Sequence, residues 1–231
     1  MPETIPASTH PNRYFGDSEE VDRAIIRTVS QYAVVFGLAR CHRLKISFVP
    51  ASPEKSYIEN LFTMAGLVDP STAQPDPVKL SCFRRFAMLN AEHGMALSTF
   101  STLVTASSLT DPVSCLISSL GSAYGPLHFG ATESALSNLR KIGNPDNVPA
   151  FIEDVKQKRV KLLGYGHRAY KGADPRVPFI KSILKDIDTS EDPLFKVAER
   201  IEAVASSDEY FTSRSLYPNA DFYGSFVFTG M

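Results

Sequence analysis

Residues 125–145 read GPLHFGATESALSNLRKIGNP. Gly125, Pro126 and Leu127 make a forced turn, since proline fixes one backbone angle where glycine frees another. Ala131–Ile142 then has the spacing of a helix, stopped by Gly143, Asn144 and Pro145. The same grammar extends outward. Upstream, Asp111-Pro112 marks a helix start, and small residues (Ser114, Ser118, Ser119, Gly121) follow to Tyr124. Downstream, Val148–Arg159, Val177–Ile187 and Leu194–Ser206 read as helices, and the glycine-rich stretch Lys161–Arg176 reads as a loop.

The outer parts follow suit. Asp17 or Ser18 caps a helix with Glu19 and Glu20 in its first turn, and Val21, Ile25 and Val29 lie along one face of it until Arg40–Arg43. Pro53 and Glu54 open a further helix through Leu67. Val68–Pro77 is an exposed loop, and Val78 to Ser108 is one long apolar-periodic region. The tail Arg214–Gly224 reads as loop, and Ser225–Met231 begins something the sequence does not finish. Residues 1–17 are an extended lead-in. Almost nothing alternates with period two, so the class is mainly α.

Composition excludes several function classes. The chain has 231 residues, 43% hydrophobic and 21% charged, which suits one large domain or two small ones with a proper core. The net charge of −1 offers no basic excess for a phosphate backbone, so no nucleic-acid partner is expected. No apolar run reaches the roughly 18 residues of a membrane span. Cys41, Cys82 and Cys115 are sparse and odd in number, which suits a reducing compartment. The N-terminus has neither a secretory nor a transit pattern, and the final residues are no peroxisomal address. The expectation is an intracellular, cytoplasmic protein.

Five histidines are available. His10 and His42 read as surface residues. His93 lies in NAEHGMALST, taken as helical. His128 follows the Gly-Pro turn at the start of a helix, and His167 lies in GYGHRAYKGADPR. The last three are 35 and 39 residues apart, so spacing offers no metal site. Gly164 and Gly166 let the backbone pass close to a ligand while a turn aims the imidazole, although a lone histidine beside a turn is more often packed or capping. The same stretch lacks the Gly-Lys-Ser/Thr ending of a phosphate loop. Asp221, in YPNADFYG, is either a partly desolvated carboxylate or a cap on the turn after Pro218-Asn219, and spacing alone favours the cap.

Taken together, GPLHFGATESAL (125–136), GYGHRAYKGADPR (164–176), YPNADFYG (217–224) and NAEHGMALST (90–99) resemble the citrate synthase family, in order, over Asn90–Gly224. The NAEHGMALSTFS segment resembles its fungal alkylcitrate synthase-like branch. The resemblance implies a partial large helical domain over residues 1–128 and a small domain over 129–231, the return to the large domain being absent. It implies condensation of an acyl-CoA with oxaloacetate, the acyl group becoming alkyl on transfer. The CoA thioester is a substrate, and no cofactor or metal is implied where hydrogen bonds are preorganised. Asp221 matches the base that takes the α-proton. His128 matches the group on the thioester oxygen, with a helix N-terminus favouring its neutral form. His167 matches the acid to the ketone.

His93 and Arg176 match oxaloacetate ligands, Arg176 through its planar fork. Lys161–Gly166, with Gly164 and Gly166, matches the CoA-binding loop, and Lys171 matches a basic position for a CoA phosphate. A homodimer is implied, with Val113–Tyr124 as a seam. Two departures stand out: Asn90 where many members have a further His, and Gly94 where many have Glu. Further carboxylate-binding arginines of the family are absent. The second reading is therefore a truncated, inactive relative that at most binds CoA or oxaloacetate.

Overall fold

Side-chain caps write most of the helix starts. The computed structural model describes residues 17–91, 93–189 and 191–231. In chain order the helices are α1 (Ser18–Leu44), α2 (Tyr57–Met64), α3 (Pro77–Asn90), α4 (Leu97–Ala106), α5 (Pro112–Ala123) and α6 (Gly130–Ile142). A 3-10 turn at Pro145–Asn147 follows, then α7 (Val148–Lys156), α8 (Val177–Ile187), α9 (Pro193–Ser207), α10 (Glu209–Thr212) and α11 (Ala220–Thr229). The Asp17 carboxylate accepts from the Glu20 amide, Asp111 from Ser114 and Asp192 from Leu194, each satisfying an amide that the helix itself leaves unpaired. At α2 a capping box of Ser56 and Glu59 sets the start at Tyr57, later than the predicted Pro53–Glu54 opening.

The class is mainly α, and the fold is all-helical among the described residues. The single β-type pairing there is an antiparallel bridge between Tyr165 and Pro218. No helix among those residues is long and apolar enough to cross a membrane. The predicted lead-in, with His10, lies outside the described residues.

The chain divides into two compact units. The first lies within Met1–Leu80 and His93–Tyr124, and the second is Ser81–Glu92 with Gly125–Met231. In the first, α1 packs on α2 and α5, and α4 on α5. Gly37 lets α1 approach α2 closely, since a Cβ there would lie 2.9 Å from Met64. Between α4 and α5 the hydroxyls of Ser101 and Thr105 bond that of Ser118 at 2.6 and 2.8 Å.

In the second unit α11 is the central element and packs on α6 and α8. Ala220 and every residue from Phe222 to Val227 are buried. Phe226 meets Phe195 edge-on, and Phe228 meets Phe86 of α3 likewise, both at 5.2 Å between ring centroids. Each buried Phe side chain contributes roughly 1.5–3 kcal/mol by leaving water.

Two expectations are corrected here. The tail is loop only as far as Asn219, and Ala220–Thr229, expected as loop and an unfinished start, is helix α11. Because α11 is buried on nearly all sides, it shows no amphipathic period to read. The region Val78–Ser108 is two helices, not one stretch. Gly94 at φ +68° turns the chain between them, so His93 lies outside any helix.

Candidate active site

Two short loops of the second unit are zipped together. The Gly166 amide donates to the Tyr217 carbonyl at 2.7 Å, and the Asn219 amide to the Gly164 carbonyl at 2.9 Å. The Asn219 side chain closes the pairing, donating to the Gly166 carbonyl at 2.7 Å. These bonds fix His167, one residue after Gly166, against the start of α11, two residues before which the chain turns at Pro218.

The glycines serve this approach. Gly164 has φ +80°, and a Cβ there would lie 2.8 Å from the Cα of Phe222. At Gly166, at φ +76°, a Cβ would meet Leu216 at 2.9 Å. In both cases the space is filled by protein, so the fold itself demands glycine.

Asp221 stands in the first turn of α11. Its amide donates to the Asn219 cap at 3.0 Å, which fixes its backbone. Its Oδ1 accepts from the Thr132 hydroxyl of α6 at 3.0 Å. Burial pushes the Asp221 carboxyl above the ordinary carboxylate value. The Thr132 hydrogen bond and the charges of Arg176, His128 and His167 pull it down without cancelling that effect. The second unit thus brings both histidines and the arginine within electrostatic reach of one half-buried carboxylate.

His167 is half-buried, and its Nδ1 accepts from the Ala169 amide at 3.1 Å. In a neutral ring the proton therefore sits on Nε2. The ring lies on Tyr170, 4.6 Å between centroids. His128, also half-buried, sits in the turn before α6. Its amide donates to the Gly125 carbonyl and its own carbonyl accepts from the Ala131 amide, at 2.9 and 2.8 Å.

Arg176 leads into α8 and is held by Asp174. Its Nε donates to Asp174 Oδ1 at 3.0 Å and its Nη2 to Oδ2 at 2.7 Å. Nη1 donates to Asn90 Oδ1 at 3.2 Å. A guanidinium has five N–H groups, so one on each Nη is left to donate. Burial pushes the Asp174 carboxyl up, but the hydrogen bonds from Arg176, the Arg176 charge and the Ala220 amide outweigh it and hold it below the usual carboxylate range.

Of the other predicted residues, Lys171 is exposed on the same loop, and His93 belongs to the first unit, in the segment between α3 and α4. Sequence reasoning missed Thr132, Asp174 and Asn219. Thr132 sits in the first turn of α6, four residues after His128, and only that nearness along the chain points to it. Among the described residues no group of three or more His, Cys, Asp or Glu is placed to hold a metal ion.

Comparison with known proteins identifies the family and the fold. The sequence profile of the family described as "Citrate synthase, C-terminal domain" matches residues 5–231. An alkylcitrate synthase of a fungal species (strain ATCC 74256) is 48% identical over 98% of this chain and 50% of its own. An alkylcitrate synthase of Talaromyces stipitatus is 44% identical over 98% of this chain and 51% of its own. The crystal structure of citrate synthase from Thermotoga maritima superposes with a TM-score of 0.79 at 28% identity, covering 99% of this chain and 61% of that one. The chain spans about half the length of the curated relatives it matches.

Proposed function

This chain belongs to the citrate synthase family, and from that premise we propose that it condenses an acyl-CoA with oxaloacetate and hydrolyses the product to a citrate or alkylcitrate and free CoA. The observation that carries the proposal is the half-buried Asp221 carboxyl, fixed by Asn219 and Thr132 at the start of α11, with His128, His167 and Arg176 within electrostatic reach.

The chemistry assigns each group a step. Asp221 takes a proton from the carbon next to the thioester. His128 hydrogen-bonds the thioester oxygen, so the electron pair released by that C–H bond rests on oxygen as an enol rather than on carbon. The α-carbon then attacks the ketone carbon of oxaloacetate. His167 delivers its Nε2 proton to the ketone oxygen, which becomes a hydroxyl as the carbon–carbon bond forms, and the proton taken by Asp221 returns the ring to its neutral form. The two N–H groups left on Arg176 grip an oxaloacetate carboxylate and orient the ketone. Water then cleaves the thioester, giving a carboxylate and the CoA thiol. Gly164, Gly166 and Lys171 lie on the loop that receives CoA. The two alkylcitrate synthases support an acyl group longer than acetyl. We assign a homodimer as the working form.

Thiol release tests the proposal. Free thiol is expected only when oxaloacetate and an acyl-CoA are both present, with acetyl-, propionyl- and longer acyl-CoA compared. Asp221→Asn is expected to slow it about 10²–10⁴-fold. Full turnover by Asp221→Asn would overturn the assignment of the base. Binding of either substrate by calorimetry with no thiol from any acyl-CoA would replace condensation with a binding function.

A further inference from the structure

Most helical threonines among the described residues bond within their own helix. Thr28, Thr63 and Thr102 each donate their hydroxyl to the carbonyl four residues earlier, at 2.8 Å. That is the ordinary local bond of a helical threonine. Thr132 instead donates across to another helix, to Asp221 Oδ1, 89 residues away in sequence. A threonine side chain in a helix has few rotamers, so this choice is a defined geometry rather than a wandering contact.

We propose that Thr132 is a positioning residue: its hydroxyl ties down one oxygen of Asp221, so that the other is presented for the reaction, and it holds the carboxyl in the ionised form a base requires. The inference rests on the reading of Asp221 as base. Asp221 is doubly fixed, its amide on Asn219 and its Oδ1 on Thr132. With Oδ1 occupied, Oδ2 is the oxygen left to accept a proton. The donor also acts on basicity, because a hydrogen bond to the charged form favours it. The other groups acting on Asp221 are Arg176 from the start of α8, His128 from the start of α6 and His167 from the paired loop. Their charges also pull its pKa down, so Thr132 is the neutral member of the set, and its removal leaves every charge in place.

The test is a titration. Aspartate labelled with 13C at the side-chain carboxyl is followed by NMR in the full chain, and the Asp221 signal is identified by its loss in Asp221→Asn. Thr132→Val keeps the shape and removes the donor. It is expected to raise the Asp221 midpoint by about half to one pH unit, and to move the acid limb of kcat/KM for thiol release by the same amount. Thr132→Ser, which restores the hydroxyl, is expected to bring both back towards the parent. Thr132→Ala reads the same shift if the valine variant fails to fold, as circular dichroism reports. An unchanged Asp221 midpoint in a folded Thr132→Val or Thr132→Ala variant overturns the inference. If Asp221→Asn keeps full turnover, the base reading fails, while the titration still decides whether Thr132 controls the carboxyl.

Discussion

Asp174 is 2% exposed, and its carboxylate accepts four hydrogen bonds, as many as it has good positions for. Oδ1 takes the amide and Nε of Arg176, and Oδ2 takes Nη2 of Arg176 and the Ala220 amide. One side chain thus anchors both the arginine fork and the first turn of the helix that carries Asp221. Asp174→Asn puts an NH2 group where at least two donors point and leaves Arg176, 15% exposed at its side chain, without its counter-charge. A loss of about 3–5 kcal/mol is expected at pH 7 in urea denaturation. The sign with pH follows from the lowered carboxyl. Its stabilisation is fully present above the unfolded value of about 3.9 and is lost as pH falls through the lower folded value. The gap between parent and Asp174→Asn should therefore narrow in acid, and equal stability at pH 7 would refute the anchoring role. At this scale the sequence displays His128, His167, Arg176 and Asp221 in their motifs. Asp174 and Thr132 stay hidden, because an acid beside a proline and a threonine in a helix look like local formers. Their partners Ala220 and Asp221 lie 46 and 89 residues away.

Helices with an apolar period and marked boundaries were legible, and α11, defined by the core, was not. Asp111-Pro112 and Gly143 announce the limits of α5 and α6 locally. By contrast α11 has a cap, Asn219, but an interior of Phe, Tyr, Gly, Ser and Val that is buried on nearly every side. Such a segment has no polar face, and periodicity cannot separate it from a buried strand or loop. What locates its start is the pairing of residues 164–166 with 217–219, a contact no local pattern encodes. Gly164→Ala tests that contact. A Cβ there meets the Phe222 backbone at 2.8 Å, and the backbone is left-handed at φ +80°. Neither α11 nor the loop can yield cheaply, so the melting temperature should fall by the equivalent of about 1–3 kcal/mol. Thiol release should fall further than stability does, since Asp221 adjoins Phe222 and small misplacements are costly. Gly172→Ala is the control, because nothing lies within 4 Å of a Cβ there. If both variants melt and turn over alike, the close approach does not govern the site.

At the scale of the molecule, the second unit buries its apolar residues around α11, while the first leaves many uncovered. On α4 and α5 of the first unit, Phe100, Leu103, Val104 and Ile117 are each more than 50% exposed. Isolated exposed apolar residues are normal, but a run of them along two packed helices exceeds what a monomer ordinarily shows to water. We propose a second copy of the chain as the occupant, since a two-fold pairing would set the same patch against itself. The hydroxyl bonds from Ser101 and Thr105 to Ser118 consume the polar groups between α4 and α5, so the outward faces are left to apolar contact. Sedimentation velocity is expected to give twice the mass of one chain at micromolar concentration. Ile117 is 64% exposed, so Ile117→Arg should leave the helical content unchanged while desolvating a charge in any symmetric interface. That variant is expected to sediment as a monomer. A parent chain that is monomeric at all concentrations, or an Ile117→Arg dimer as tight as the parent, would remove α5 as the seam.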